Sequence, residues 1–347
     1  MKSRLRCALC GTGRIGSSLE NDRKREKPAS HAGAISHNRH TVLAAGADPD
    51  RENLSAFGAR WRIPSERLFS SLDAMLKETR PDILHIASST EAHIPNLLTA
   101  LERKVPVIVL EKPVAENIDT AREALASIGA SSSRVIVNHE RRFSADYIYV
   151  RDRIISGDLG GLSSIHGKLF LGRTKRPRDV LWHDGTHMLD IIRFLAGSDV
   201  APSAIHGNPW SAGNNVLLVG TIPQNEGDCI LSLECSPFRD YLQFELDLSF
   251  EKGRIRVGNG VFEELTSRPS PYYEQYRSLL PAEKKLLSHS RTFGKTGYFA
   301  HMMAHAVELF YNPDQSCRST FADGIASIDT IQKFIDLSHF KEEENGK

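Results

Sequence analysis

A chain of 347 residues exceeds what one hydrophobic core ordinarily serves, so two domains are expected, each with a core of its own. Hydrophobic residues at 40% and charged residues at 25% exclude a disordered or fibrous chain. Lys and Arg (44) balance Asp and Glu (43) to a net charge of +1, which offers no field for nucleic acid or an anionic membrane surface.

Met1–Arg6 runs straight into Cys7-Ala8-Leu9-Cys10, too short an apolar stretch for a signal peptide or a membrane span, so a cytoplasmic protein is expected. Five cysteines make an odd number for a disulfide framework. Cys7 and Cys10 form a C-x-x-C without a second half-site, and read as part of a buried strand rather than as a redox pair or half a zinc site. The 14 histidines are dispersed without the paired helical spacing of a zinc protease, and no metal is expected.

In chain order, short apolar runs at Leu5–Leu9, Thr41–Ala47, Asp82–Ala87, Val105–Leu110 and Arg134–Val137 alternate with helical stretches at Arg51–Ala59, Ser71–Lys77, Ala92–Arg103 and Ile118–Ile128. That rhythm predicts βαβ units and a doubly wound parallel sheet over residues 1–138. Beyond Asn138 helices are expected at Ala145–Ser156 and Asp184–Leu195, closed by Gly157 and Gly197. Alternating stretches at Leu162–Leu171, Val216–Thr221, Asp228–Cys235, Tyr241–Phe250 and Gly253–Val257 predict a largely antiparallel open sheet. Helices over Gly297–Tyr311 and Phe321–Leu337 complete a second α/β domain, residues 139–340.

Gly11-Thr12-Gly13-Arg14-Ile15-Gly16 follows the first strand and is expected to open a helix, the context of a dinucleotide-binding Rossmann turn. Its glycines serve a tight turn, close approach of backbone to a diphosphate, and packing of helix on strand; the helix amides and dipole favour the anion. The second strand runs into Asp48, whose carboxylate suits ribose hydroxyls and favours NAD over NADP, with Arg51 close enough to leave NADP open. The interval from Gly16 to Asp48 is 48 − 16 = 32 residues, where about 20 are usual, so something is inserted. Glu20–His40, with its charge run Arg23-Lys24-Arg25-Glu26-Lys27-Pro28, reads as a long loop, either solvated or in contact with ligand.

Val105–Leu110 ends in Glu111-Lys112-Pro113, which puts a lysine just past the carboxyl end of a parallel strand, where open α/β sheets bind ligands. A second Glu-Lys-Pro at Glu26–Pro28 has no strand before it. Together with Ala47-Asp48-Pro49-Asp50, Ile86–His93, Arg141-Arg142-Phe143 and His183–Asp190, these motifs resemble, in order and spacing and over nearly the whole chain, the Gfo/Idh/MocA dehydrogenases.

The resemblance implies that Lys112 touches both the nicotinamide ribose and a substrate hydroxyl. It implies that Ser88, Ser89 and His93 line the dinucleotide, with Glu111 and Asn138 in the same cofactor set, and that His187 transfers the proton. Many relatives carry Asp four residues before that histidine; here the position is His183, so either the adjacent Asp184 stands in or His183 shares the work. The chemistry agrees: oxidising an alcohol needs a base near neutral pKa within reach of the hydroxyl, and an ammonium to stabilise alkoxide character. Asp190 reads as a ligand to substrate hydroxyls or as a first-turn helix carboxylate. The cationic loop Gly172–Arg178, with Arg173, Lys175, Arg176 and Arg178, suits a phosphate or a nucleotide diphosphate, or is a solvated charge run.

The expected function is hydride transfer between NAD, or NADP, and a carbinol carbon of a sugar, cyclitol or sugar nucleotide. The rivals are an NAD-dependent glycosidase, which accumulates no NADH, and a non-catalytic dinucleotide-binding regulator. The resemblance also implies a homodimer or homotetramer joined through the second-domain sheet.

Overall fold

The computed structural model describes residues 3–171, 176–225, 227–282 and 297–341. The chain divides into two compact units, one formed by residues 1–144 and 297–325, the other by 145–296 and 326–347.

In the first unit the elements are β1 (Leu5–Cys10), α1 (His31–His37), β2 (Thr41–Ala47), α2 (Arg51–Trp61), β3 (Leu68–Phe69), α3 (Leu72–Thr79), β4 (Ile83–Ile86), α4 (His93–Glu102), β5 (Val107–Leu110), α5 (Ile118–Gly129) and β6 (Arg134–Val137). The six strands are parallel in the order β3-β2-β1-β4-β5-β6. This is the doubly wound order expected, with its switch point between β1 and β4, where such sheets bind ligands at the carboxyl edge. Every residue of β4 and β5 is buried, as central strands covered on both faces require. Side chains of Asp50, Ser71 and Asn117 accept backbone N–H bonds at the starts of α2, α3 and α5, which fixes where those helices begin.

In the second unit come α6 (Ala145–Ser156), β7 (Leu162–Phe170), α7 (Pro177–Val180), α8 (Thr186–Ala196), β8 (Ala201–His206), β9 (Val216–Gln224), β10 (Gly227–Ser236), β11 (Gln243–Phe250), β12 (Gly253–Gly258), β13 (Val261–Pro269) and β14 (Arg277–Pro281). They build an eight-stranded sheet, β14-β13-β12-β11-β7-β10-β9-β8, antiparallel except where β7 runs parallel to β10. Period-two alternation gives it one apolar face and one charged face: Ile255 and Val257 of β12 are buried, while Arg254 and Arg256 between them pair with Asp247 and Glu245 of β11.

After these strands the chain forms α9 (Tyr298–Tyr311) and α10 (Phe321–Asp336). The sequence placed α9 with the second domain, but the chain here returns to the first unit, where Phe299, Met302, Met303 and Ala306 join Leu9, Ala32, Ile35 and Val109 in one core. The strands and helices expected from periodicity are present. Those unforeseen are β3, only two residues long, the largely exposed edge strand β8 with Pro202, the charge-interrupted β13, the short β14, and the short helices α1 and α7.

Candidate functional site

Gly11 sits at φ +86°, and a Cβ there would lie 2.4 Å from the carbonyl carbon of Ala87, so the turn after β1 presses against the chain leaving β4 at the switch point. At Gly16 a Cβ would lie 2.0 Å from the Gly11 carbonyl oxygen. By contrast, the nearest atom to a Cβ at Gly13 is Asn53 Nδ2 at 3.7 Å. Two glycines are required by neighbouring backbone and the middle one leaves an opening, which is the arrangement that admits a diphosphate.

The helix expected at Gly16 departs from its sequence reading. Residues Gly13–Ser17 make a turn, Ser18–Asn21 a 3-10 turn, and the α-helix proper starts at His31, inside the segment read as a loop. His31 N donates to Ile15 O (3.2 Å) and Ala32 N to Gly16 O (2.9 Å), the bonds that an uninterrupted helix makes four residues apart. Residue 32 thus follows Gly16 by 32 − 16 = 16 positions in place of four, an insertion of 16 − 4 = 12. Removing those 12 from the 32-residue interval to Asp48 leaves 32 − 12 = 20, the usual spacing.

The excursion is closed by its own side chains. Glu20 Oε2 accepts from Ala29 N and Ser30 Oγ, each at 2.9 Å, and Lys27 Nζ donates to the carbonyls of Glu20 and Asp22 at 2.7 Å. At the tip, Glu26 Oε1 accepts from Gly297 N (2.7 Å) just ahead of α9. Burial, foremost, raises the Glu140 carboxyl, while Arg141, Lys112 and the excursion's own Arg25 work against it. Arg25 and Lys112 therefore act on the same carboxyl.

Asp48 is buried and serves the turn. Oδ2 accepts from Thr12 N (2.7 Å) and Thr12 Oγ1 (3.0 Å), and Oδ1 from Asp50 N (2.9 Å). A carboxylate oxygen with one donor retains acceptor capacity for a ribose hydroxyl. Arg14 is exposed and Ile15 half-buried.

At the other half of the carboxyl edge, Glu111 is buried at the end of β5. Its Oε1 accepts from His31 Nε2 (2.8 Å) and Asn138 Nδ2 (2.5 Å), and its Oε2 from Lys112 N (3.2 Å). Burial, the largest influence, pushes this carboxyl up, but the His31 bond, the charges of His31 and Lys112 and the Asn138 bond together hold it at about 2. Lys112 itself is half-buried. Asn138 Oδ1 is a buried acceptor with no donor among the described residues, open to a ligand N–H or O–H.

Ser88 Oγ accepts from Asn96 Nδ2 (3.1 Å), and Ser89 is exposed beside it. His93, expected to line a dinucleotide, is buried with Nδ1 on the Pro113 carbonyl (2.7 Å) and Nε2 on the Ser88 carbonyl (3.1 Å). Both ring nitrogens face backbone carbonyls, and because a neutral ring carries a single N–H it donates to only one of them at a time. Desolvation is the main reason its pKa lies below the ordinary histidine value.

Sequence reasoning missed His31 and His85. The two rings meet Nδ1 to Nδ1 at 2.8 Å, both fully buried, behind Glu111. The available signal was a histidine inside the four-residue apolar strand Ile83-Leu84-His85-Ile86, a polar group that needs a partner.

The second unit carries the other motif. Leu181–Gly185 form a π-helical turn between α7 and α8, so the helix starts earlier than Asp184. Such turns concentrate at functional positions. His187 and Asp190, three apart on α8, are buried and share a face; His183 is exposed and Asp184 half-buried. Asp184 adds to burial in raising the Cys235 thiol, which places its charge near the inner side of β10. Of the cationic loop, Arg173 and Lys175 lie outside the described residues. Arg176 pairs with Asp179 (3.1 Å), and Arg178 lies over the rings of Trp182 and Trp210 at 5.0 and 6.0 Å.

A family model described as an oxidoreductase family with an NAD-binding Rossmann fold matches residues 5–139. Inositol 2-dehydrogenase of Corynebacterium glutamicum strain R is 23% identical over 266 residues, 74% of this chain and 75% of that protein. The chain spans only 33% and 46% of the length of two further curated relatives it matches. Among solved structures, an Agrobacterium radiobacter oxidoreductase in complex with NAD+, L-tartaric acid and magnesium superposes with a TM-score of 0.74 at 19% identity, covering 96% of each chain. The WlbA dehydrogenase of Bordetella pertussis, in complex with NADH and UDP-GlcNAcA, does so with a TM-score of 0.74 at 18% identity, covering 97% of this chain and 96% of that one. Likeness at these identities establishes the fold. Among the described residues no helix is long and apolar enough to cross a membrane.

Proposed function

We propose that this chain, whose residues 5–139 match the NAD-binding Rossmann model of the Gfo/Idh/MocA oxidoreductase family, oxidises a carbinol carbon of a cyclitol, sugar or sugar nucleotide. The observation that carries the reading is the position of Lys112: it follows β5 at the carboxyl edge of the sheet, on a backbone tied to a buried, ionised Glu111. Bound NAD+ would supply the hydride acceptor.

In this reading the amides from Gly11 to Gly16 and the opening at Gly13 take the diphosphate. Asp48 Oδ1 takes a ribose hydroxyl and its charge disfavours a 2′-phosphate; Ser88, Ser89 and the Asn138 carbonyl oxygen supply the remaining polar contacts. Lys112 Nζ donates to the substrate hydroxyl oxygen and stabilises its alkoxide character as the proton leaves. His187 is the base that takes that proton. Asp184, His183 and Asp190 orient the imidazole or hold neighbouring hydroxyls, and Arg173 adds a cation for an anionic substrate group.

The experiment is a panel of cyclitols, aldoses and nucleoside-diphosphate sugars, each incubated with NAD+ and with NADP+ while reduced cofactor is followed by fluorescence. Accumulation of NADH with one polyol class supports the reading. Sugar release without net NADH would instead indicate a glycosidase.

A further inference from the structure

Behind Glu111 lies a line of groups that the proposed chemistry does not use. His85 on β4, His31 at the start of α1 and Glu111 after β5 are linked by bonds of 2.8 and 2.8 Å. The His31 ring is boxed in further by Phe299, edge-on with centroids 5.3 Å apart. Burying two imidazoles is costly unless each nitrogen is satisfied, yet His85 Nε2 has no partner among the described residues. Packing alone does not account for a pair of histidines at such a position, because two apolar side chains would fill it without stranding a polar atom.

We propose that His31 and His85 are positioning residues for the lysine of the site: His85 holds the His31 ring, His31 holds the Glu111 carboxylate, and the carboxylate holds the backbone of Lys112. The inference rests on the proposed function for its kinetic part alone. Glu111 gathers donors from three places, α1 through His31, the end of β6 through Asn138, and its own neighbour Lys112. Removing the His31 donor frees the side of the carboxylate that ties β5 to α1, and lets the Lys112 turn shift. Because the line ends inside the protein at His85, it does not carry protons to solvent; it fixes a negative charge in place.

The 12-residue excursion bears directly on this. It is the return of the chain through Ser30, whose hydroxyl accepts from Gly33 N and donates to Glu20, that brings His31 to Glu111. The other titratable groups acting on or near Glu111 are Lys112, His93 on α4 and Glu140 after β6. His85 is kept neutral, chiefly by burial and then by the His31 charge, which hold its pKa well below the ordinary value.

The test compares His31→Leu, His31→Gln and His85→Leu in the full chain. Glutamine places an N–H where the His31 Nε2 hydrogen was; leucine keeps the volume and removes the donor. The first readout needs no turnover: the carboxyl 13C resonance of Glu111, assigned with Glu111→Gln, is followed from pH 7 to pH 4. It should stay flat in the wild type and in His31→Gln, and show a protonation step in His31→Leu. The second readout is kinetic, with the polyol that reduces NAD+. His31→Leu should lose kcat about tenfold or more with KM and NAD+ affinity nearly unchanged, and His31→Gln should recover most of it. A flat Glu111 resonance in His31→Leu, or equal losses in the leucine and glutamine variants, would overturn the proposal. Should His31→Leu not fold, His85→Leu decides: reduced kcat at wild-type NAD+ affinity supports the proposal, and wild-type kcat overturns it. A wild type that turns over no polyol refutes the proposed function, while the resonance still decides the positioning claim.

Discussion

Replacing Asp48 by Ala should destabilise the protein even with no dinucleotide present, because its carboxylate holds the glycine turn together. Three donors lose their acceptor: Thr12 N at 2.7 Å, Thr12 Oγ1 at 3.0 Å and Asp50 N at 2.9 Å. Asp50 is exposed, so water replaces its bond, whereas Thr12 is buried and its amide is left unsatisfied. A buried donor that loses a charged acceptor costs about 2–3 kcal/mol. Asp48→Asn keeps one oxygen for the Thr12 amide and should cost about 1 kcal/mol. The assay is urea denaturation of the cofactor-free protein, with an unchanged slope showing that the midpoint reports stability. Calorimetric titration with NAD+ should show affinity falling about tenfold or more in Asp48→Ala, equivalent to about 1.4 kcal/mol. An Asp48→Ala midpoint equal to that of the wild type would refute the reasoning, since the residue would then serve ligand alone.

Gly13 and Gly16 should separate binding from folding. Gly16→Ala drives a Cβ into the Gly11 carbonyl and should fail to give soluble protein, whereas Gly13→Ala should melt like the wild type and bind NAD+ poorly, as thermal melts and titrations would show. The depressed Glu111 pKa, about 2 against an ordinary 4.5, contributes stability that is complete above about pH 4.5 and lost as the pH falls toward 2. By pH 3 the wild type should have lost about 2 kcal/mol from this group, a loss that Glu111→Gln does not show in urea midpoints measured from pH 5 to pH 3. Deleting Ser17–Pro28, which are 12 residues, joins Gly16 to Ala29 and restores a four-residue step from Gly16 to Ala32. The product should fold with a continuous helix and increased far-ultraviolet helical signal, while a ten-residue deletion should not.

The elements with strong periodicity were legible in the sequence, and so was the turn at Gly11–Gly16, because each glycine answers to a specific steric demand. Asp48 was found despite its interval, since the strand before it reads clearly. What failed to read was local. The seven-residue helix His31–His37 contains a glycine, a serine and two histidines, and its first turn is held by Ser30 and by carbonyls 16 residues back, contacts that no window over the sequence detects. The π-helical turn at Leu181–Gly185 adds no residue signature of its own. The backbone carbonyls that His93 meets come from segments five and 20 residues away, pairings that no local pattern shows. His31 and His85 were invisible as a pair because their meeting depends on β1, β4 and β5 lying side by side.

The central claim is that Lys112 acts on the substrate at a site where the dinucleotide is held by other residues. It is tested most directly by Lys112→Ala, with NAD+ affinity measured by calorimetry and NADH formation measured on the same preparation with the polyol the wild type oxidises. NAD+ affinity within about threefold of the wild type, together with turnover reduced at least a hundredfold, is the predicted result. Unchanged turnover in that variant, or a wild-type protein that binds no dinucleotide, would contradict it.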